Sequence, residues 1–199
     1  MIRRVHGFIS ATIATLLTIG AFIALAPAAN AYKLLGCSYA GGGNNLRWSN
    51  LTTRHEYSNP ADWSIEDWNS TSTQFNFRKS DDRANLKVTD GNFGNTEFDG
   101  IALDPNQNDP TTNSCKDGHW TRTVVAWWNR YWTDDYSGEK KKSVMSHEVG
   151  HALGLAHAGD PARECRAIPL MIETTHTRWE RCGISKPRGD DINGANSLY

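Results

Sequence analysis

The sequence predicts an α+β domain in which a twisted mixed β-sheet packs on two main helices. Two stretches, 59–68 and 137–155, place apolar residues at helical spacing. Short runs at 74–78, 86–89 and 121–128 lie between them and are alternating or rich in β-branched and aromatic residues, as strands are. A chain of 199 residues is long enough for one domain with a core and short for two.

The first 31 residues are predicted to be a secretory signal peptide. A basic start at Arg3 and Arg4 precedes an apolar run over residues 8–25. The small-x-small site Ala29-Asn30-Ala31 follows and places cleavage before Tyr32. The alternative is an uncleaved membrane anchor, since the run is slightly long for a signal. We therefore expect a secreted, extracellular protein.

The remaining residues, 32–199, are predicted to form the single domain and have no second apolar span, so stable membrane insertion is not expected. Without Arg3 and Arg4 it holds 19 Lys and Arg against 22 Asp and Glu, a net charge of −3 with neutral histidines. The cationic run Lys140–Lys142 is interpreted as a solvated helix start, and no basic patch for nucleic acid is visible. We expect a monomer that binds no nucleic acid.

Four cysteines lie in the exported part, and an even number in an oxidising compartment predicts two disulfides. Three pairings are open, of which we favour Cys37–Cys115 and Cys165–Cys182. Zinc binding by the thiolates is disfavoured because no pair has the C-x₂₋₄-C spacing.

The first elements are a short strand and a helix. Leu46–Ser49 predicts the strand, and Asn59-Pro60 predicts the helix start, with Asn as N-cap and Pro at the first helical position. One apolar face of the helix consists of Ala61, Ile65 and Trp68. We interpret Trp63 and Trp68 as core residues.

Residues 90–118 are rich in Gly, Asn, Asp and Pro and predict long loops around a short strand at Ile101–Leu103. Oxygen ligands suit calcium, so a Ca²⁺ site is a second interpretation of this region, although ordinary turn chemistry explains the same residues. Its candidate ligands are Asp90, Glu97, Asp99, Asp104 and Asp109.

Thr121–Trp128 is the most β-prone run. As an edge strand it could bind an extended peptide by strand addition. A buried central strand fits its periodicity equally well.

The second main helix is predicted to begin near Ser137 or Glu139 and to continue to Leu155. Its apolar surface consists of Val144, Met145, Val149, Ala152 and Leu153. The helix carries a metal-binding motif, described next.

Residues 147–157 match the pattern H-E-x-x-H-x-x-G-x-x-H. His147 and His151 lie one turn apart on one helical face, so both can bind one ion. Gly154 can end the helix in a left-handed conformation and return the chain, so that His157 becomes the third ligand. Three His ligands leave the fourth zinc position open, as in catalytic sites. Glu148 is placed beside the metal as the candidate catalytic base.

With these residues the chain resembles the metzincin clan, and within it the matrixins. Ile168–Ile172 occupies the place of the clan's Met-turn, with Met171 beneath the metal. Residues 190–199 resemble the closing helix of the matrixins, which carries D-D-x-x-G-x-x-x-L-Y. The resemblance implies a metzincin-like zincin fold with a C-terminal helix.

It also implies a zinc endopeptidase with one catalytic Zn²⁺ and an extended polypeptide substrate, in which Glu148 is the general base. The loop Thr174–Trp179 would shape the pocket for the residue after the cut bond, and its preference cannot be read from the sequence. His176 in that loop is interpreted as solvated rather than as a substrate contact.

The sequence also departs from the matrixins. It has no P-R-C-G-V segment, and the histidines expected for a second, structural zinc are missing. A secreted bacterial-type branch fits best. Two alternative functions stay open: a zinc-containing binding protein without catalysis, and a hydrolase of peptidoglycan peptides.

Overall fold

A five-stranded mixed sheet lies against two long helices in this computed structural model, which describes residues 32–43 and 45–199. The predicted signal peptide lies outside the described residues. The strands are β1 (Lys33–Leu34), β2 (Leu46–Asn50), β3 (Phe77–Lys79), β4 (Leu86–Gly91), β5 (Gly100–Leu103), β6 (Cys115–Lys116), β7 (His119–Trp120), β8 (Val124–Asn129) and β9 (Leu155–Ala156). The helices are α1 (His55–Asn69), α2 (Pro110–Asn113), α3 (Arg130–Thr133), α4 (Gly138–Ala152) and α5 (Gly189–Asn196), with a 3₁₀ turn at Cys165–Ala167 and a π-helical segment at His176–Arg181.

The main sheet has the order β3-β2-β4-β8-β5. Four strands are parallel, whereas β5 pairs antiparallel with β8, with Gly100 opposite Trp128 and Leu103 opposite Val125. The predicted α+β architecture, with a mixed sheet, two main helices and a C-terminal helix, is confirmed. The edge-strand interpretation of 121–128 is wrong, because β8 lies between β4 and β5 and its valines are buried. The two edge strands of this sheet are β3 and β5.

Three tryptophans fix α4 to the rest of the core. The indole N–H of Trp128 donates to Lys141 O at 2.8 Å, and that of Trp68 to Ser146 O at 2.9 Å. The third, Trp120, donates to Ala152 O at 2.9 Å, at the end of the helix. The predicted apolar surface of α4 is confirmed, since all five of its residues are fully buried: Val144, Met145, Val149, Ala152 and Leu153. The helix that carries the motif is therefore held along its whole length.

Two predictions for α1 are wrong. The helix begins at His55 rather than at Pro60, which lies inside it. Trp63 is 40% exposed and is not a core residue, whereas Trp68 is fully buried as predicted. Proline inside a helix costs one backbone hydrogen bond. Packing of Tyr57 and Ala61, both fully buried, offsets that loss.

The interpretation of Lys140–Lys142 as solvated is also wrong for two of the three lysines. Lys141 and Lys142 are buried. Lys142 Nζ lies 3.2 Å from Asp67 Oδ2 and 2.8 Å from Glu139 Oε2. Lys141 Nζ donates to two backbone carbonyls. These lysines tie the start of α4 to α1 and to the preceding turn.

Both favoured disulfides are formed, Cys37–Cys115 and Cys165–Cys182. The second closes a loop that contains Met171 and the whole π-helical segment. No helix among the described residues has the length and apolar character needed to span a membrane.

Candidate metal centre

Three histidine side chains converge at the C-terminal end of α4. One ring nitrogen from each of His147, His151 and His157 lies within 4.8 Å of the other two. Nε2 of His151 and Nε2 of His157 are 3.1 Å apart. Among residues 32–43 and 45–199 no other group of three or more His, Cys, Asp or Glu is arranged in this way. The structure thus brings together the three residues that the motif predicted as ligands.

A tight turn delivers His157 to the other two histidines. Helix α4 ends at Ala152, and Gly154 adopts φ +103°, a conformation that favours glycine. A Cβ on Gly154 would lie 2.2 Å from Cys37 O, so the approach of the two backbones also requires glycine. The chain then reverses into β9, which pairs with β1. The predicted role of Gly154 is confirmed.

Backbone carbonyls orient two of the imidazoles. His147 Nδ1 donates to Leu170 O at 3.0 Å, and His151 Nδ1 donates to Leu155 O at 2.8 Å. With Nδ1 protonated, Nε2 of each ring is the nitrogen with a free lone pair, which is the form that binds a metal.

Burial keeps these imidazoles neutral. It lowers the pKa of His147 well below the usual value and the pKa of His151 to about 4. It also lowers the pKa of His157, which is more exposed. Neutral imidazoles are the metal-binding form, so the site needs to lose few protons to accept a cation at neutral pH.

The donor set fits zinc. Three imidazole nitrogens suit Zn²⁺, and two tetrahedral ligands with Zn–N bonds of about 2.0–2.1 Å lie about 3.3 Å apart. The observed 3.1 Å between the nitrogens of His151 and His157 is close to that spacing. These three residues therefore could hold one zinc ion with one position left for water or substrate.

Met171 packs against helix α4 at Gly150, which lies between His147 and His151 in the sequence. It is buried, and a Cβ on Gly150 of α4 would lie 2.3 Å from its sulfur. Asp191 of α5 fixes the backbone here: Leu170 N donates to its Oδ2 at 2.8 Å and Met171 N to its Oδ1 at 3.0 Å. Because Leu170 O accepts the bond from His147, the carboxylate of Asp191 helps to orient a candidate ligand.

Glu148 projects from the same helix into a cleft beside the histidines. Only 5% of it is exposed. Burial raises its pKa to about 8, against the lowering effect of Arg178 and with a smaller raising effect of Asp99. Strand β5 comes close to this carboxyl group, since a Cβ on Gly100 would lie 2.7 Å from Glu148 Oε1. A carboxyl group with a pKa near neutrality can both accept and donate a proton.

The cleft is a cavity of about 420 Å³ between the loop before β5 and the segment after Met171. Part of the predicted pocket loop contributes to it, namely Thr174, Thr175 and Arg178. His176 is exposed and does not line the cavity, in line with its interpretation as solvated. Trp132, Tyr136 and Arg178 were not identified from the sequence, because no motif marks them.

The carboxylates proposed as calcium ligands are not gathered into one site. Asp90 makes an ion pair of 2.7 Å with Arg130 and accepts bonds from Thr53. Asp104 accepts backbone bonds within its own loop, and Asp109 caps α2. Among the described residues the calcium prediction therefore has no support, and turn chemistry explains the side chains of Asp104 and Asp109.

Comparison with known proteins gives one broad match and several partial ones. A sequence profile of the matrixin peptidases matches residues 47–199. Stromelysin-1 of Rattus norvegicus and matrix metalloproteinase-20 of Homo sapiens are each 35% identical over 68 residues, which is 34% of this chain. The matched segment spans only 13% and 12% of the length of these relatives.

Two solved structures of myroilysin are also similar. They cover 60% and 69% of this chain and 52% and 53% of their own, with 19% and 16% identity and TM-scores of 0.37 and 0.41. The profile match extends over most of the chain and includes the three histidines and Glu148. The chain belongs to the matrixin family.

Proposed function

We propose that this protein is a secreted zinc-dependent endopeptidase, with residues 32–199 as its catalytic domain after removal of a signal peptide. The observation that carries the proposal is the convergence of His147, His151 and His157 beside the buried carboxyl group of Glu148 in an open cleft. Membership of the matrixin family supports the same chemistry.

The histidines would hold the zinc ion through Nε2, while Leu170 O and Leu155 O fix two of the rings. Zinc held at this position would supply a Lewis acid for the scissile carbonyl group and would lower the pKa of a water molecule to about 7. Glu148 accepts the proton of the attacking water and then donates it to the leaving amine. In the zinc-free protein, burial raises the pKa of Glu148 to about 8, so this carboxyl group can hold a proton near neutral pH.

The substrate would be a polypeptide in extended conformation. Strand β5 borders the cleft and has a sheet partner, β8, on one side only among the described residues. An extended peptide can pair with such an edge by backbone hydrogen bonds. The close approach of Gly100 to Glu148 would place the bound backbone near the reacting groups.

The test is cleavage of casein and labelled peptides by the purified zinc-loaded protein, compared with Glu148→Gln. The variant should keep one zinc ion per chain, because the three histidines are unchanged, and should lose activity by about 10²–10⁴-fold, the usual contribution of acid–base catalysis. Glu164→Gln, in an exposed ion pair with Arg166, is the matched control and should retain full activity.

Full activity in Glu148→Gln would contradict the assigned role. Zinc binding without cleavage of any peptide by the wild-type protein would favour the binding-protein alternative. Clearing of cell-wall suspensions without cleavage of casein would favour the peptidoglycan hydrolase.

A further inference from the structure

A buried arginine lies in the wall of the cleft. Arg178 belongs to the π-helical segment and is only 1% exposed, yet it lines the same cavity as His147 and Glu148. A guanidinium group stays charged in proteins. Burial of a charge is costly unless hydrogen bonds and an opposite charge compensate it. The groups around Arg178 therefore show how far its buried charge is compensated within the protein.

The hydrogen bonds of this side chain go to neutral oxygens. Nε donates to Ser143 Oγ at 3.2 Å, Nη1 to Ile172 O at 3.0 Å and Nη2 to Thr175 Oγ1 at 2.7 Å. These bonds hold the guanidinium between α4 and the segment after Met171. They use three of its five N–H groups. The other two have no hydrogen-bond acceptor within the part of the chain that the structure describes.

No carboxylate neutralises Arg178 by direct contact. The ion pairs formed within 4.0 Å by residues 32–43 and 45–199 do not include it. Burial lowers the pKa of Arg178, and the more distant carboxylates of Asp99 and Glu148 raise it. Asp99 is engaged with Tyr136 Oη at 3.3 Å. The cavity thus has a fixed, dehydrated positive charge at its wall with no contacting partner.

We propose that Arg178 determines the specificity of the cleft by binding the carboxylate of a glutamate or aspartate side chain next to the peptide bond that is cut. This inference rests on the endopeptidase function proposed above. The position follows from the cavity, because Arg178 shares it with Glu148 and His147, which would act on the scissile bond. A guanidinium with two N–H groups to spare can bind a carboxylate by charge-assisted hydrogen bonds.

Acidic residues at the rim of the cavity favour a positively charged substrate side chain, but their effect is weaker than that of Arg178. Glu97 and Glu173 are exposed and Asp99 is half-buried. Water and salt screen such charges. Arg178 is shielded from water, and a charge interaction is stronger in a medium of lower dielectric constant. The side chain that enters the cavity is therefore selected by Arg178 rather than by the rim.

The first experiment measures kcat/KM of the zinc-loaded protein for peptides that differ only by Glu or Gln beside the cut bond. Cut sites mapped in a digest of denatured proteins supply the peptides and tell on which side of the bond the acidic residue lies. We expect at least about a 10-fold preference for Glu, the usual effect of one charged hydrogen bond. Equal rates, or a preference for Gln, would overturn the proposal.

The second experiment measures, in variants of the enzyme, the kcat/KM for the Glu peptide divided by that for the Gln peptide. A ratio of two substrates does not depend on the fraction of folded enzyme, so partial unfolding does not obscure it. Arg178→Gln should bring the ratio to about 1. If that variant does not fold, Arg178→Lys should still reduce it, because an ammonium group lacks the planar fork of guanidinium. Arg181→Gln, an exposed arginine of the same segment, should leave it unchanged.

A third measurement separates this proposal from the proposed function. Fluorescence anisotropy of zinc-loaded Glu148→Gln should show that the Glu peptide binds about 10-fold more tightly than the Gln peptide. Equal affinities refute the role of Arg178. Absence of all cleavage by the wild-type protein refutes the endopeptidase function, and tighter binding of the Glu peptide then still supports an acid-binding cleft.

Discussion

Glu148 is a carboxyl group in a position where water cannot solvate its charge. Burial raises its pKa from 4.5 to about 8. In the zinc-free protein, the folded state therefore keeps a proton between pH 4.5 and about 8 that the unfolded state has released. By linkage, Glu148 makes folding less favourable as the pH rises through this window.

Replacement of Glu148 by Gln should remove this pH dependence, because glutamine is neutral at every pH. In zinc-free protein, the stability of Glu148→Gln relative to wild type should be greater at pH 8.5 than at pH 5. Urea unfolding at the two pH values measures the difference, with Glu164→Gln as the exposed control. A difference between variant and wild type that does not change with pH would show that Glu148 titrates normally.

Asp191 helps to orient the candidate ligand His147 without contacting it directly. Its carboxylate accepts bonds from the N–H groups of Leu170 and Met171, and Leu170 O in turn accepts from His147. The sequence resemblance predicted His147 and Met171 separately. The link between them through Asp191 is a tertiary contact, which neither spacing nor periodicity contains.

At the scale of elements, α4 and the segment with Met171 approach each other so closely that a glycine is needed between them. Gly150 permits it, because a Cβ there would lie 2.3 Å from Met171 Sδ and 3.4 Å from Trp68 Cζ2. The two elements could not keep this distance with any larger residue in α4.

Gly150→Ala should therefore lower the free energy of unfolding by about 1–3 kcal/mol, the usual cost of overpacking a core. It should also weaken zinc binding, because a displaced Met171 would shift the neighbouring Leu170, whose carbonyl accepts the hydrogen bond of His147. Gly189→Ala is the matched control: nothing lies within 4 Å of its Cβ, so it should be neutral or stabilise by up to about 1 kcal/mol. Urea unfolding and zinc titration measure both. A Gly150→Ala variant as stable as wild type would mean that Met171 moves without cost.

The elements that the sequence placed correctly are those whose signal is local. Helix α4 was predicted from its apolar residues and its motif, and Gly154 from its place after them. The start of α1 was misplaced because Asn59-Pro60 resembles a cap, whereas the true N-cap residue, Arg54, makes no side-chain capping bond. A local rule cannot identify a helix start that tertiary packing stabilises.

The sequence left open whether β8 is an edge or an interior strand, and its interior position could not be decided for a similar reason. Strand order depends on pairing between distant parts of the chain, here with β4 and β5. The burial of Lys141 and Lys142 depends in the same way on Asp67 in α1 and on carbonyl groups before α4. From the sequence alone, a run of three lysines indicated that these side chains are exposed to solvent.

At the scale of the whole molecule, the zinc motif could be predicted and the rest of the cleft could not. His147, His151 and His157 are close in sequence, so their geometry follows from one helix and one turn. The cavity is assembled from the loop before β5, from α3 and from the segment after Met171. Arg178 became a candidate only when the fold placed it beside Glu148.

Zinc should couple the whole fold to the site, because the three candidate ligands lie on α4 and beyond the turn that follows it. At a zinc concentration 100 times Kd the folded state gains about 2.7 kcal/mol, or about 5–10 °C in Tm for a chain of this size. Chelation should remove this gain, and added calcium should not restore it, since the described carboxylates form no calcium site. In His157→Ala the zinc-dependent shift should shrink strongly, whereas His119→Ala, an exposed histidine of β7, should keep it. Thermal unfolding with each ion checks this, and a full shift in His157→Ala would exclude that residue as a ligand.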